Sequence, residues 1–341
     1  MPTVPPHAEM LNLITGYWIS QSVHLAAVLG VADHLKDGPK SSGELATAVN
    51  AHPHSLYRLL RALASVGVFA EEGHDRWRLT PLAECLLSDR PGSQRSLAIM
   101  NGEEHFRAWG DLLHSIRTGQ PAFDHVYGKP IFDYIAGNPR AAAIFDDAMT
   151  GVHGAETAAM VEAFDFSRFG TVIDIGGGNG TVITAILQRY PSVRGVLYDL
   201  PHVVERARPR LEAAGVAQRC QTVGGDFFTA VPPGGDAYLM RHIIHDWDDA
   251  KSLTILGHCR KVMAPTARLL LIETVIPPGN DPCFAKFLDL NMLVLPGGLE
   301  RTEAEYRALF AAAGFRLERI VPTKADVSVI EGVPVPPPLA A

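Results

Sequence analysis

The stretch Val172-Ile173-Asp174-Ile175-Gly176-Gly177-Gly178-Asn179-Gly180 decides the fold. β-favouring residues and one acid run straight into a glycine cluster, and a helix-like segment over 181–189 follows. Strand, tight turn and helix in that order form the opening unit of a nucleotide-binding α/β domain. Glycines let the backbone turn sharply and approach a ligand with no Cβ in the way. About twenty residues after the loop, Asp199 closes the next apolar run, where a carboxylate meets ribose hydroxyls in such domains.

The glycine spacing separates candidate ligands. A dinucleotide fingerprint needs a third glycine at position 181, and Thr181 stands there; the pattern is Gly176-x-Gly178-x-Gly180. Asp174 precedes it, and a carboxylate at the end of that strand suits a cation better than a pyrophosphate. S-adenosylmethionine carries an ammonium, a sulfonium and no phosphate. A glycine-rich turn that binds nothing has the same local look; the spacing to Asp199 favours the ligand.

At 341 residues, 47% of them hydrophobic, the chain has material for two cores or one large one, which argues against disorder. A net charge of −7 argues against general affinity for nucleic acid or anionic membranes. The N-terminus lacks the basic-then-apolar order of a signal peptide, and no apolar run reaches bilayer length. Cys85, Cys220, Cys259 and Cys283 are scattered with no CxxC pair, which predicts reduced thiols in a cytoplasmic protein.

Residues 1–95 read as helices followed by a small hairpin. An apolar helical stripe covers 20–35, and its excess over what a small domain leaves in water predicts a dimer contact. Ser41 and Glu44 form a capping box before a short helix, residues 52–55 break the chain, and 56–66 make a second helix. Short strands over 68–70 and 77–79 flank a polar turn, completing a winged-helix pattern. A DNA-binding regulator has this outline too. Yet the second helix offers only Arg58 and Arg61, and the hairpin tip is acidic at Glu71, Glu72 and Asp75, which favours a packing or dimerisation module.

Residues 96–165 read as a helical linker whose aromatics, Trp109 and Phe145 among them, line an acceptor pocket or fill ordinary core. From 171 onward strands and helices alternate, with strands at 171–175, 194–198, 220–223, 236–240 and 268–274. Two more between Arg316 and Ile330 make an antiparallel edge. The fold class is α/β: a Rossmann-like doubly wound sheet over 166–332, preceded by a mainly helical winged-helix domain. The Pro-rich residues 333–341 read as an extended, disordered tail.

Two further segments carry chemistry. Asp226-Phe227 follows a strand, where a carboxylate accepts from an adenine amine and a ring packs on the base; a capping Asp and a core Phe are the plainer alternative. Arg241-His242-Ile243-Ile244-His245-Asp246-Trp247 follows another. Histidines three apart suggest metal, but metal-binding pairs at this spacing sit on a regular helix with a further ligand. A histidine beside carboxylates reads better as a general base, against a surface acidic loop that merely caps the next helix.

The segments Asp174-Ile175-Gly176-Gly177-Gly178-Asn179-Gly180, Tyr198-Asp199-Leu200-Pro201, Gly225-Asp226-Phe227-Phe228, His245-Asp246-Trp247, Glu273-Thr274-Val275-Ile276-Pro277 and Gly297-Gly298-Leu299-Glu300-Arg301-Thr302 occur in that order. Together they resemble the S-adenosylmethionine-dependent O-methyltransferases of the caffeate and hydroxyneurosporene methyltransferase type, over nearly the whole chain. The resemblance implies a homodimer through the N-terminal domain, a small aromatic acceptor, S-adenosylhomocysteine as product, and no metal. It implies cofactor contacts from Asp174, Gly176, Gly178, Gly180, Asp199, Leu200, Asp226, Phe227 and Arg241. It makes His245 the catalytic base, flanked by Glu273 and Glu300, and puts Met149, Phe145, Trp109, Asp246, Asn291 and Met292 at the acceptor. Leu295 stands before Pro296 where plant members have Asn, in a segment one residue shorter, so plant acceptors do not carry over.

The implied reaction is an in-line displacement: an aromatic hydroxyl attacks the sulfonium methyl while His245 takes its proton. Relatives on this fold that hydroxylate or rearrange would be expected to lose the base or its acids, and all three are present here.

Overall fold

β1 (Phe69–Glu71) and β2 (Trp77–Leu79) pair antiparallel as the wing of the N-terminal part. The computed structural model describes residues 5–336. Their packing separates two units: the described residues through Gly110 together with Ile131–Gly154, and Asp111–Pro130 together with the described residues from Ala155 on. The stretch expected to be one linker, 96–165, is therefore shared between them, because its helices find their apolar partners in different cores.

In the first unit, Ser41 and Glu44 form the capping box at the head of the helix Ser42–Val49. The next helix begins at Pro53, with His52 accepting at its cap, so the expected break at 52–55 is its first turn. Proline fits there because the N–H of a first helical residue has no intrahelical acceptor, so no hydrogen bond is lost. The apolar stripe at 20–35 is a correction. Ala26, Ala27, Val31, Ala32 and Leu35 are buried in the unit's own core around Leu60 and Trp77. The open apolar face lies earlier on the long helix Pro6–Val28, at Leu13, Ile14, Tyr17 and Trp18.

The second unit is built on a seven-stranded sheet in which one strand alone is reversed: β3 (Thr171–Ile175), β4 (Arg194–Asp199), β5 (Cys220–Gly224), β6 (Ala237–Arg241), β7 (Arg268–Glu273), then, after two short strands β8 (Val275–Ile276) and β9 (Arg301–Thr302), β10 (Phe315–Pro322) and the reversed β11 (Ser328–Pro334). Its order is β5-β4-β3-β6-β7-β11-β10, with β11 antiparallel to both neighbours. Central strands read as continuous apolar runs because helices cover both faces; β6 is buried at four of its five positions. Val333 and Pro334 close β11, which corrects the expected tail there: the strand finds hydrogen-bonding partners in β10. Residues 337–341 lie outside the described residues. Buried Glu331 ties this edge down through Arg168, Arg268 and Arg319. Among the described residues no helix is long and apolar enough to cross a membrane.

From β3 the chain winds outward to β5, then returns to β6 on the other side of β3. Strand order reverses there, and the crevice beyond the strand ends is where ligands bind in open α/β sheets.

Candidate active site

The glycine loop follows β3. Gly176 N–H donates to Tyr198 O at 2.8 Å, and Gly178 N–H donates to Asp199 Oδ2 at 2.8 Å, so the loop is laced to the end of β4. A Cβ on Gly177 would fall 2.7 Å from Asp174 Oδ2, so no side chain fits. Gly178 has φ +57, and a Cβ there would meet nothing within 4 Å; this glycine faces open space. Asp199 Oδ1 accepts from Leu200 N–H at 2.7 Å, which fixes the carboxylate while leaving it partly exposed. Beyond β5, Asp226 accepts from Phe228 N–H at 2.8 Å and is exposed, beside a half-buried Phe227. Trp247 closes this wall edge-on to Phe227 and Phe228, at 6.3 and 4.9 Å between centroids. An open glycine, a partly exposed acid and an aromatic shelf together have the chemistry to take an adenosyl group.

Asp174 departs from the expectation of direct ligand contact. Its side chain is 1% exposed beneath the loop, and Oδ2 has no hydrogen-bond partner. Burial pushes its pKa up to about 7, against the pull of the Arg241 guanidinium. Arg241 itself is mostly buried and donates to Thr157 Oγ1 at 2.7 Å.

On the other side of β3, the short helical turn Ile244–Asp246 follows β6 and carries His245. Its Nδ1 donates to Glu300 Oε1 at 2.7 Å and lies 3.7 Å from Glu273 Oε2. Glu273, fully buried at the end of β7, also accepts through Oε1 from the N–H groups of Ile243, Ile244 and His245 at 3.2, 3.0 and 3.4 Å. One carboxylate thus shapes the turn and faces the imidazole. Nε2 lies on the ring's other edge, 3.5 Å from Asp246 Oδ1.

The segment that supplies Glu300 is locked to the same turn. Leu299 N–H donates to His245 O at 2.9 Å, and a methyl on Gly298 would run into that oxygen and the backbone of Asp246 and Trp247. Arg301, 1% exposed, donates to the carbonyls of Ile244, Leu299 and Trp247, to Ser252 Oγ and to Asp249 Oδ1. Glu300 N–H donates to Asp289 Oδ1 at 3.0 Å. Sequence reasoning quoted Arg301 and Gly298 without giving them this part. The signal was available only as their adjacency to Glu300.

Charge crowds this pocket. Burial alone would drive the His245 pKa down, but the charges of Glu273 and Asp246 and the hydrogen bond to Glu300 outweigh it and push it up to about 10. Burial raises Asp246 to about 6 despite His245. For Glu273 burial is overcome by His245, His242 and Arg301, which hold it below the usual carboxylate range. Ligating atoms of His242, His245 and Glu273 lie within 4.8 Å of one another. With Nδ1 of His245 taken by Glu300 and His242 bound to Glu156, the group is organised for holding protons rather than a metal.

Of the expected acceptor residues, Asn291 and buried Met292 sit in the helix Phe284–Val294, which ends just before the Gly297–Arg301 segment. Trp109, Phe145 and Met149 belong to the first packed unit, on helices Phe106–Trp109 and Pro139–Ala163.

The family model for the O-methyltransferase domain matches residues 109–316, and that for the O-methyltransferase dimerisation domain matches 11–89. Phenazine O-methyltransferase of Lysobacter antibioticus is 48% identical over 332 residues, 97% of each chain. The 8-amino-8-demethylriboflavin N,N-dimethyltransferase of Streptomyces davaonensis is 38% identical over 339 residues, again 97% of each. The O-methyltransferase of neocarzinostatin biosynthesis, solved with S-adenosylmethionine and 2-hydroxy-5-methyl naphthoic acid, has a TM-score of 0.82 and 34% identity, covering 93% of this chain and 96% of that one. Glycine loop, strand-end acid, histidine turn and the match along the chain agree: this protein belongs to the S-adenosylmethionine-dependent O-methyltransferase family, with the family's dimerisation domain at its N-terminus.

Proposed function

We propose that the protein methylates a hydroxyl on an aromatic small molecule, with Nε2 of His245 receiving the hydroxyl proton. The observation that carries this is the imidazole held through Nδ1 by Glu300 at 2.7 Å and faced by Glu273, which fixes its tautomer and leaves Nε2 for the acceptor. Bound S-adenosylmethionine supplies an electrophilic methyl on a sulfonium, which leaves as a neutral thioether. Gly178, Asp199, Asp226 and Phe227 hold the adenosyl end, and Asp174 and Arg241 support the loop from beneath. Asp246, Asn291, Met292, Trp109, Phe145 and Met149 are assigned to the acceptor.

A phenol has a pKa near 10, and His245 is pushed up to about 10. Proton transfer between them is close to balanced, so the base is matched to its task. At pH 7 the imidazole rests mostly protonated, and only a small fraction is free to accept. A cationic sulfonium nearby opposes protonation of the imidazole and enlarges that fraction. The hydroxyl proton goes to Nε2, the oxygen–methyl bond forms as the sulfur–methyl bond breaks, and the proton then leaves to solvent. Rate should climb with pH through the neutral range.

N-methylation of an aryl amine is the second reading, favoured by the N,N-dimethyltransferase among the relatives. An amine attacks with its own lone pair and loses its proton afterwards, so it needs no base beforehand. Radiolabelled S-adenosylmethionine with matched phenols and anilines separates the two. Methyl ethers formed by the wild type, and cut about 10²–10⁴-fold in His245→Ala with cofactor affinity kept, support the base. Labelled amines alone, indifferent to His245, would displace it.

Two copies pair through the apolar face at Leu13, Ile14, Tyr17 and Trp18, each at least half exposed in the single chain, within the dimerisation-domain match. Sedimentation at micromolar concentration should give a dimer, and Ile14→Lys a monomer. The free thiols of Cys85, Cys220, Cys259 and Cys283 support a cytoplasmic location.

A further inference from the structure

His242, next to the catalytic turn, adopts φ +51, in the left-handed region that non-glycine residues rarely visit. Asn50 and Asp75, the other described non-glycine residues with positive φ, lie at a helix end and in the wing's turn, and Asn, Asp and His all visit that region more than other types do. His242 is held there with its side chain only 9% exposed. Strain of this kind persists only where the surroundings over-determine it, and it clusters at functional sites.

Several contacts fix the ring. Nε2 lies 2.9 Å from Glu156 Oε2, on the helix Pro139–Ala163. Nδ1 lies 3.6 Å from Glu273 Oε2, the same oxygen that lies 3.7 Å from His245 Nδ1. The two imidazoles are 4.9 Å apart between centroids, inclined by 38°. Glu273 Oε1 is occupied by backbone N–H groups, so Oε2 faces the two histidines.

We propose that His242, held by Glu156, is a positioning residue that carries positive charge against Glu273 and so sets the pH at which His245 becomes free to accept a proton. The inference rests on the base reading of His245 above. The titratable and charged groups about the pair are Glu156 and, three residues earlier on its helix, His153; Glu273 from β7; Asp246 and Arg241 from the same chain segment; and Glu300 and Arg301 from the segment before and into β9. With Glu273, Glu300 and Asp246 all drawing a proton toward His245, that residue alone would hold it far too tightly. A second imidazolium 4.9 Å away opposes this directly and shares the Glu273 charge. Burial works against a charged His242, but the hydrogen bond to Glu156 at 2.9 Å and the Glu273 carboxylate 3.6 Å away overcome it and raise its pKa.

The test needs no acceptor. Full-length protein with ¹³C-labelled histidine is titrated by NMR from pH 5 to 11, the two resonances being assigned by their loss in His242→Asn and His245→Gln. Asn is chosen because it tolerates left-handed φ. The wild type should show His242 still protonated as pH rises into the His245 transition, and His242→Asn should move the His245 midpoint up by about one unit or more. Glu156→Gln should lower the midpoint of His242 itself. A His242 that loses its proton well before His245 in the wild type overturns the proposal without any variant. So does an unchanged or lowered His245 midpoint in a folded His242→Asn protein. The base reading fails separately: if His245→Ala keeps its methylation rate, the tuning measured by NMR stands while the role of the tuned group does not.

Discussion

The two sides of β3 are built on different principles. Toward β4 and β5, the site is made of backbone: glycine N–H groups, strand ends, and acids within 55 residues of one another that accept mostly from neighbouring amides, such as Asp199 from Gly178 and Leu200. Toward β6 and β7, it is made of side chains drawn from 156, 242, 245, 273, 300 and 301, most of them buried. Backbone hydrogen bonds within a short segment survive many changes of side chain. A buried cluster of charges has no such tolerance, because removing one member leaves the others unpaired in a medium that penalises them. The cofactor side should therefore degrade gradually under mutation and the catalytic side abruptly.

The sharpest break should come at Gly298→Ala. The added methyl overlaps the His245 carbonyl and the following backbone, so the turn must move. Methylation should fall by roughly 100-fold or more, since about 1 Å of misplacement has that effect, while isothermal titration shows cofactor binding retained. A loss of cofactor affinity as large as the loss of rate would mean the two sides are not separable. Arg301→Met comes next. Several buried carbonyls lose their donor, so unfolding stability should drop by roughly 3 kcal/mol, readable as a lowered denaturation midpoint in urea.

That contrast also explains what the sequence made legible. The glycine loop, Asp199, Asp226 and the strands of the parallel sheet come from local signals: glycine spacing, apolar runs and turn residues. Glu273 and Glu300 became visible only through resemblance, because nothing local says that positions 28 and 55 residues after His245 return to it. Glu156 lies 86 residues from His242 and gave no signal at all. At the N-terminus, periodicity found the apolar stripe but not its partner. Most apolar residues of 20–35 pack into their own unit's core, with Leu25 and Val28 left exposed, and the larger exposed face precedes them. Asp174 was read from its position at a strand end, and only burial shows that its side chain lies under the loop.

pH gives a third test. The folded pKa of His245, about 10, lies above its unfolded value near 6.5. Its contribution to stability is therefore fully present below pH 6.5 and is lost as pH rises through 10. Thermal melting should show the wild type losing roughly 2–4 kcal/mol more over that window than His245→Gln. Equal slopes would mean the imidazole is not held as a cation. The mildest change belongs to the cofactor side: Asp199→Asn keeps the hydrogen bonds from Gly178 and Leu200 through its carbonyl oxygen only in part, and should weaken cofactor binding by about tenfold.

The central claim is that His245 removes the acceptor's proton. Its most direct test is the ratio of kcat/KM between wild type and His245→Ala, measured at pH 7 over phenolic acceptors whose pKa values run from about 7 to about 10. The account predicts a ratio of about 10²–10⁴ for the least acidic phenols, shrinking steadily as the acceptor arrives already ionised. A ratio that stays constant across the series, or stays near one throughout, would contradict it.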